Sequence, residues 1–218
     1  MKKSRRIAVM ALMVALTTIF SFVPVSITGV PIGLMILPLL VVSQIEDLKM
    51  TISLGIWLGI INLIAWYTTK AGTVLAPVFQ NPVICIVPRV LIGIVAHLIN
   101  KGLKKLFLKP ELPLAAQYGI EEAIVTVSTA CGVLTNTGFV SLFTLLFFNN
   151  KTLSNGTAIN VNYLLGWFGV GFLIEIIAFP ILNGPIVLAL RKAKLVYDPT
   201  KNDKKKKQNK DIVVEGKK

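Results

Sequence analysis

The sequence predicts an all-α membrane protein of six transmembrane helices with both termini in the cytoplasm, and three observations lead there. Hydrophobic residues make up 54% of the chain against 15% charged, and a mean hydropathy of +0.74 lies outside the range of soluble domains. The apolar residues fall into six runs separated by charged or turn-rich connections. Of the 23 lysines and arginines, 20 fall at the termini or in the second and fourth connections; Lys70 and Lys151 lie on the other side and Arg89 within a run. The membrane domain accordingly covers residues 1–197. Residues 198–218, lysine-rich and without an apolar pattern, read as a disordered basic tail near anionic headgroups.

The first helix is expected over Ile7–Phe22, behind the basic start MKKSRR. The stretch after it offers no small-x-small cleavage site and leads into further apolar runs, so it is read as a helix that stays and not as a signal peptide. Ala11 and Ala15, with Ala8 one turn earlier, form a small-residue face that would let another backbone approach closely. An uncharged connection with Pro24, Gly29, Pro31 and Gly33 precedes a short apolar run, Leu34–Val42, which ends in QIEDLK. That run is too short to cross ~30 Å of hydrocarbon unless it borrows from its flanks or is shielded by neighbours.

Met50–Tyr67 reads as a clean third helix, and Trp66 and Tyr67 at its end suit an interface belt. The connection Thr68–Gln80 is long enough to fold over a cavity. The fourth helix, Asn81–Lys105, opens on a capping turn and carries Arg89 about eight residues in, roughly 12 Å deep at ~1.5 Å per residue. The fifth is expected from Gln117 or Glu121 to Phe148, with Thr135, Asn136 and Thr137 near mid-membrane. The sixth, Tyr163–Leu190, contains Glu175 and is expected to be interrupted at Pro180 and again at Asn183–Pro185.

Arg89 decides most about function. A guanidinium keeps its charge, and such a residue costs about 2.5–3.5 kcal/mol near the bilayer centre, so it must face protein groups, a polar cavity or a ligand. Asn136 at roughly 18 Å and Glu175 at roughly 18–20 Å from the outer surface fall within reach of the same cavity. Two readings of Arg89 stand side by side: a fork for a carboxylate or phosphate, and an ion pair with Glu175 tying two helices. For Asn136 and its threonines the alternative is an interhelical or back-bonded hydrogen bond; for Gln80 and Asn81 it is a helix cap; for Trp66 and Trp167 it is an interface anchor. Cys85 and Cys131 lie inside apolar runs and read as small hydrophobes, and a lone His97 gives zinc almost nothing to bind.

Nucleic acid is excluded as a partner by the absence of a motif or a folded basic face. No GxxxxGK[ST], HExxH or GxSxG sequence is present, no carboxylates are paired in the apolar runs, and the two halves show no matched broken helices. Neither an enzyme nor a self-powered pump is expected, and no cofactor. What remains is a membrane binding protein that needs an external engine.

The basic start with its alanine-rich helix, the segment NPVICIVPRVLIGIVAHLI, the segment LTNTGFV and the six-span size of about 200 residues carry a family resemblance over most of residues 5–195. With them the chain resembles the substrate-binding (S) subunits of energy-coupling factor vitamin transporters. The resemblance implies a multi-pass protein of the bacterial plasma membrane that captures a vitamin from outside. It also implies partners, a transmembrane coupling subunit and two cytoplasmic ATPases, with Ala11 and Ala15 against the coupling subunit. By position the resemblance selects Gln80, Asn81, Arg89 and Asn136 as ligand contacts, with Trp66 and Trp167 after them; Thr137 and Glu175, placed near the same cavity by depth, complete the expected ligand-binding set. The Pro-Arg and Asn-Thr segments look most like the pantothenate-type branch; folate, riboflavin and cobalamin stay open. The competing classes are a stand-alone small-solute carrier or channel and a ligand-free membrane scaffold.

Overall fold

A computed structural model describes residues 3–23, 25–27, 30–108, 113–153 and 155–193. The tail expected from residue 198 lies outside the described residues. Among the described residues seven helices carry the fold: α1 (Lys3–Phe22), α2 (Leu37–Ile45, entered through a 3₁₀ turn at Leu34–Ile36), α3 (Leu48–Tyr67), α4 (Ala76–Phe79), α5 (Pro82–Phe107), α6 (Leu114–Phe148) and α7 (Val161–Lys192). Among the described residues five of them, α1, α3, α5, α6 and α7, are long and apolar enough to cross a membrane.

The expected second span is the exception. Its apolar helix covers Leu34–Ile45, about 18 Å at the helical rise, and Pro38 through Ile45 are all buried. Leu39, Leu40 and Val42 show no exposed surface, so α2 is a peg in the core, in contact with α1, α3, α5, α6 and α7. A helix shielded on every side need not match the bilayer's thickness, which is why its brevity is tolerated.

The first connection holds a second departure. An all-helical reading left it unstructured, whereas Val25–Ile27 (β1) and Val30–Ile32 (β2) pair antiparallel, Val25 opposite Ile32, and β2 lies against α7. The third departure is α7 itself. It runs unbroken through Pro180 and Pro185, where the sequence suggested interruptions. A proline costs a helix one hydrogen bond, but in a packed membrane bundle neighbouring groups and local adjustment absorb that loss.

Small residues set the spacing around α5. A Cβ placed on Gly59 of α3 would come within 2.7 Å of the Ile86 Cα, and one on Gly55 within 3.1 Å of the Arg89 carbonyl oxygen. Gly55 and Gly59 are therefore a small-xxx-small pair that seats α3 on the backbone around Arg89. Pairing Gly59 with Ile86 and Gly55 with Val90 makes the two helices antiparallel. Gly132 of α6 packs instead on side chains, those of Leu40, Ala96 and Ile92.

Charge collects at one end of the bundle. Arg6 of α1 reaches Glu46 at 2.6 Å and Asp47 at 2.5 Å, while Lys104 of α5 (3.3 Å) and Arg191 of α7 both pair with the buried Glu121 of α6. The start of α1 and the end of α7 thus lie at the same end. His97 sits toward it, half-buried, its Nδ1 2.8 Å from the Ser43 carbonyl oxygen. Cys85 is buried, Cys131 half-buried, and both are free thiols.

Candidate functional site

The opposite end of the bundle collects buried polar groups instead of charge pairs. The last turns of α3 bring Asn62 and Trp66, the third connection brings Lys70, Phe79 and Gln80, α5 brings Cys85 and Arg89, and α7 brings Glu175. Gly132 rests on Ile92 and Ala96, so Asn136, one turn farther out on α6, is level with the turn of α5 that holds Arg89.

The third connection is laced onto α3. The Gln80 side-chain amide donates to the Trp66 carbonyl at 3.2 Å, and the Tyr67 hydroxyl donates to the Gln80 carbonyl at 3.2 Å. This seats α4 so that Phe79 stacks on Trp66, centroids 4.6 Å apart and planes 12° off parallel. Lys70 Nζ lies 5.3 Å from the Trp66 ring centre, and the Arg89 guanidinium carbon 5.8 Å from that of Phe79. The result is a run of cation, indole, phenyl and guanidinium in which each ring meets a cation as well as its neighbour. Trp66 is half-buried with its ring on Phe79, whereas Tyr67 beside it is 59% exposed.

Arg89 is 3% exposed and spends one donor on its own helix, Nη1 to the Ile84 carbonyl at 2.9 Å. Its Nε has no hydrogen-bond partner among the described residues, and the same holds for Trp66 Nε1, Asn62 Oδ1 and Asn136 Oδ1, all buried. Asn62 does donate through Nδ2 to the Cys85 sulfur at 3.2 Å. Leaving a buried donor or acceptor unmet costs about 1–3 kcal/mol, so two donors and two acceptors left open in one half of a bundle mark a place where a solute or water completes the set.

The ion pair between Arg89 and Glu175 does not form. Glu175 accepts instead from the Gly33 amide at 2.8 Å and acts on Arg89 only through space. Lys70 lies outside the membrane-spanning helices. Burial, and then the Arg89 charge, hold its ammonium below the usual lysine value of 10.5. With Lys70 and Arg89 set against one acid, the site is positively biased.

The remaining expected residues divide. Asn81 spends its side-chain oxygen capping α5 through the Val83 amide at 2.9 Å, and Gln80 ties the third connection down, so both build the site's wall. Thr137 is half-buried beside Asn136, whereas Thr135 back-bonds to the Cys131 carbonyl at 2.7 Å. Trp167 falls on α7, and its side chain lies outside the described residues. Ala8, Ala11 and Ala15 are exposed on α1, opposite its buried stripe of Val9, Met13, Thr17 and Ser21. Asn62, Lys70 and Phe79 were not anticipated. A lone amide in the 20-residue run of α3 was a signal of the same kind as Arg89 and would have found Asn62.

At the charged end, a groove of about 300 Å³ is lined by Leu103, Phe107, Ile120, Ala123, Ile124 and Val127, with no polar side chain to orient a solute.

No family model matches the chain, and no curated protein matches it. Among solved structures, ThiT from Listeria monocytogenes matches with a TM-score of 0.60 and 15% sequence identity, over 88% of this chain and 98% of that one. The match runs over most of this chain and nearly all of that one, and the chain has the fold of ThiT.

Proposed function

We propose that the chain is the substrate-binding subunit of an energy-coupling factor importer, capturing a water-soluble vitamin and not transforming it. Two independent lines support this reading: the motifs around Arg89 and Asn136, and a fold like that of ThiT, an S component for thiamine. The observation that carries it is the buried Arg89, whose Nε is left open in the same half of the bundle as the unmet polar atoms of Asn62, Trp66 and Asn136. The α2 peg counts as the sixth element of the bundle. The termini face the cytoplasm of a bacterial cell, supported by the lysine and arginine asymmetry, and the Arg89 end opens outward. ATP hydrolysis by two partner ATPases, acting through a transmembrane coupling subunit, drives uptake.

Pantothenate is the favoured ligand. Its carboxylate suits the guanidinium fork, and its hydroxyl and amide groups suit the open acceptors of Asn62 and Asn136. Trp66 and Phe79 each give one face to the other and have a cation over the ring, which disfavours a flat ring stacked there, and two cations against Glu175 disfavour a positively charged vitamin. Likeness to ThiT at this identity therefore carries the fold and not thiamine.

Thermal-shift measurement of the detergent-solubilised protein against pantothenate, thiamine, folate, riboflavin and cobalamin tests the proposal. A ligand at 100 times its dissociation constant adds about 2.7 kcal/mol. A shift with pantothenate alone is expected; a shift with another vitamin moves the specificity and keeps the role. No shift with any of them, or full-rate uptake by liposomes that hold this chain alone, overturns the role.

A further inference from the structure

We infer that Pro88 is a positioning residue for Arg89: by removing one amide hydrogen it creates the acceptor that aims the guanidinium. Within an α-helix the Ile84 carbonyl would receive the amide of residue 88, and proline has none. Ile84 and Pro88 are both buried, so water cannot replace that bond. The group that takes the carbonyl is Arg89 Nη1, at 2.9 Å, the side chain folding back toward the start of its own helix as helical side chains lean. The Phe79 ring lies against the guanidinium from a second direction, 5.8 Å away. One donor and the ring hold the guanidinium, and Nε is left without a partner among the described residues.

A freely rotating arginine would lose its rotamer freedom on meeting an anion, whereas this one has lost it already. The adjacent Pro-Arg pair is thus one device, in which the defect in the helix and the cation that repairs it are neighbours in sequence. The inference rests on reading this cluster as the ligand site, and its test separates the two.

The first arm needs no ligand. The chain has four arginines, so arginine-labelled protein gives a side-chain nitrogen spectrum in which Arg89 is assigned by loss in Arg89→Lys. The wild type should show distinct, slowly exchanging Nη signals for Arg89, and Pro88→Ala, which returns an amide to Ile84, should merge them. Merged signals in the wild type, or distinct ones in Pro88→Ala, overturn the inference. The second arm is titration with pantothenate and with its uncharged alcohol. Pro88→Ala should weaken the acid about tenfold, the scale of one charged hydrogen bond, and leave the alcohol unchanged. Adding Pro88→Ala to Arg89→Ala should cost nothing more. Equal losses for acid and alcohol, or additive losses, would make Pro88 a merely structural residue. If the wild type binds no vitamin, the proposed function fails while the spectrum still decides the role of Pro88.

Discussion

The Gly33 amide donates to Glu175 Oε1 at 2.8 Å, and this single bond fastens the end of the β1–β2 hairpin to α7. The fit is close: a Cβ at residue 33 would sit 3.1 Å from the same carboxylate oxygen and 3.2 Å from Ile36 Cδ1. Glu175 therefore does two things at once. It holds the residue after β2 to α7, and it lowers the positive bias set by Arg89.

Substitutions at Glu175 separate those two roles. Glu175→Ala strands the Gly33 amide and should destabilise the protein by about 1–3 kcal/mol, read as a lower Tm. Glu175→Gln keeps an oxygen for Gly33, should cost less, and removes the acid from the site. Affinity for pantothenate should then hold or rise. A tenfold loss of pantothenate affinity in Glu175→Gln would instead place that carboxylate in direct contact with the ligand.

The seat of α3 on α5 is a backbone contact, so it has no side chain to give way. Gly59→Ala pushes a methyl to 2.7 Å from Ile86 Cα and should cost about 1–3 kcal/mol as the helices part. Because Gly55 touches the Arg89 carbonyl along the same seam, ligand affinity should fall with stability. Gly138→Ala on α6, where nothing lies within 4 Å of the new methyl, should be neutral or slightly stabilising. Equal Tm values for the two variants would contradict the close approach.

How far the sequence carried the fold follows from what each signal measures. Five long apolar runs became five helices because hydrophobicity over 18 or more residues is a local property. The shielding of α2 was not legible, since a 12-residue apolar run reads the same whether lipid or protein surrounds it. Nor was the pairing of β1 with β2, because β2 packs against α7, far away in sequence. At the site, Arg89 announced itself by its charge. The reach of Glu175 to Gly33 instead of Arg89, and the stacking of Trp66 on Phe79, depend on how α3, α4 and α7 approach, which residue type alone does not encode.

Ala11 and Ala15 lie on an open face of α1, where Ile7, Leu12 and Ile19 are more than half exposed. Leucine at both positions adds bulk into empty space, so Tm and vitamin affinity should stay within error of the wild type. Association with a coupling subunit, followed by co-purification and ATP-dependent uptake, should be lost. Lost binding together with retained association would reverse the assignment of this face.

Lys70 gives the site a pH dependence with two opposite slopes. Burial, then the Arg89 charge, lowers its proton affinity in the folded protein below the usual 10.5. Between that lowered value and 10.5 the unfolded chain binds more protons than the folded one, so stability rises with pH across the window. An arriving carboxylate acts the other way: it favours the ammonium, and affinity for pantothenate should fall as pH climbs through the lowered value, while Arg89 stays charged throughout. Lys70→Gln should flatten both slopes. An affinity for pantothenate that stays constant from neutral pH up to 10.5 in the wild type would remove Lys70 from the ligand's field and leave Arg89 as the site's working cation.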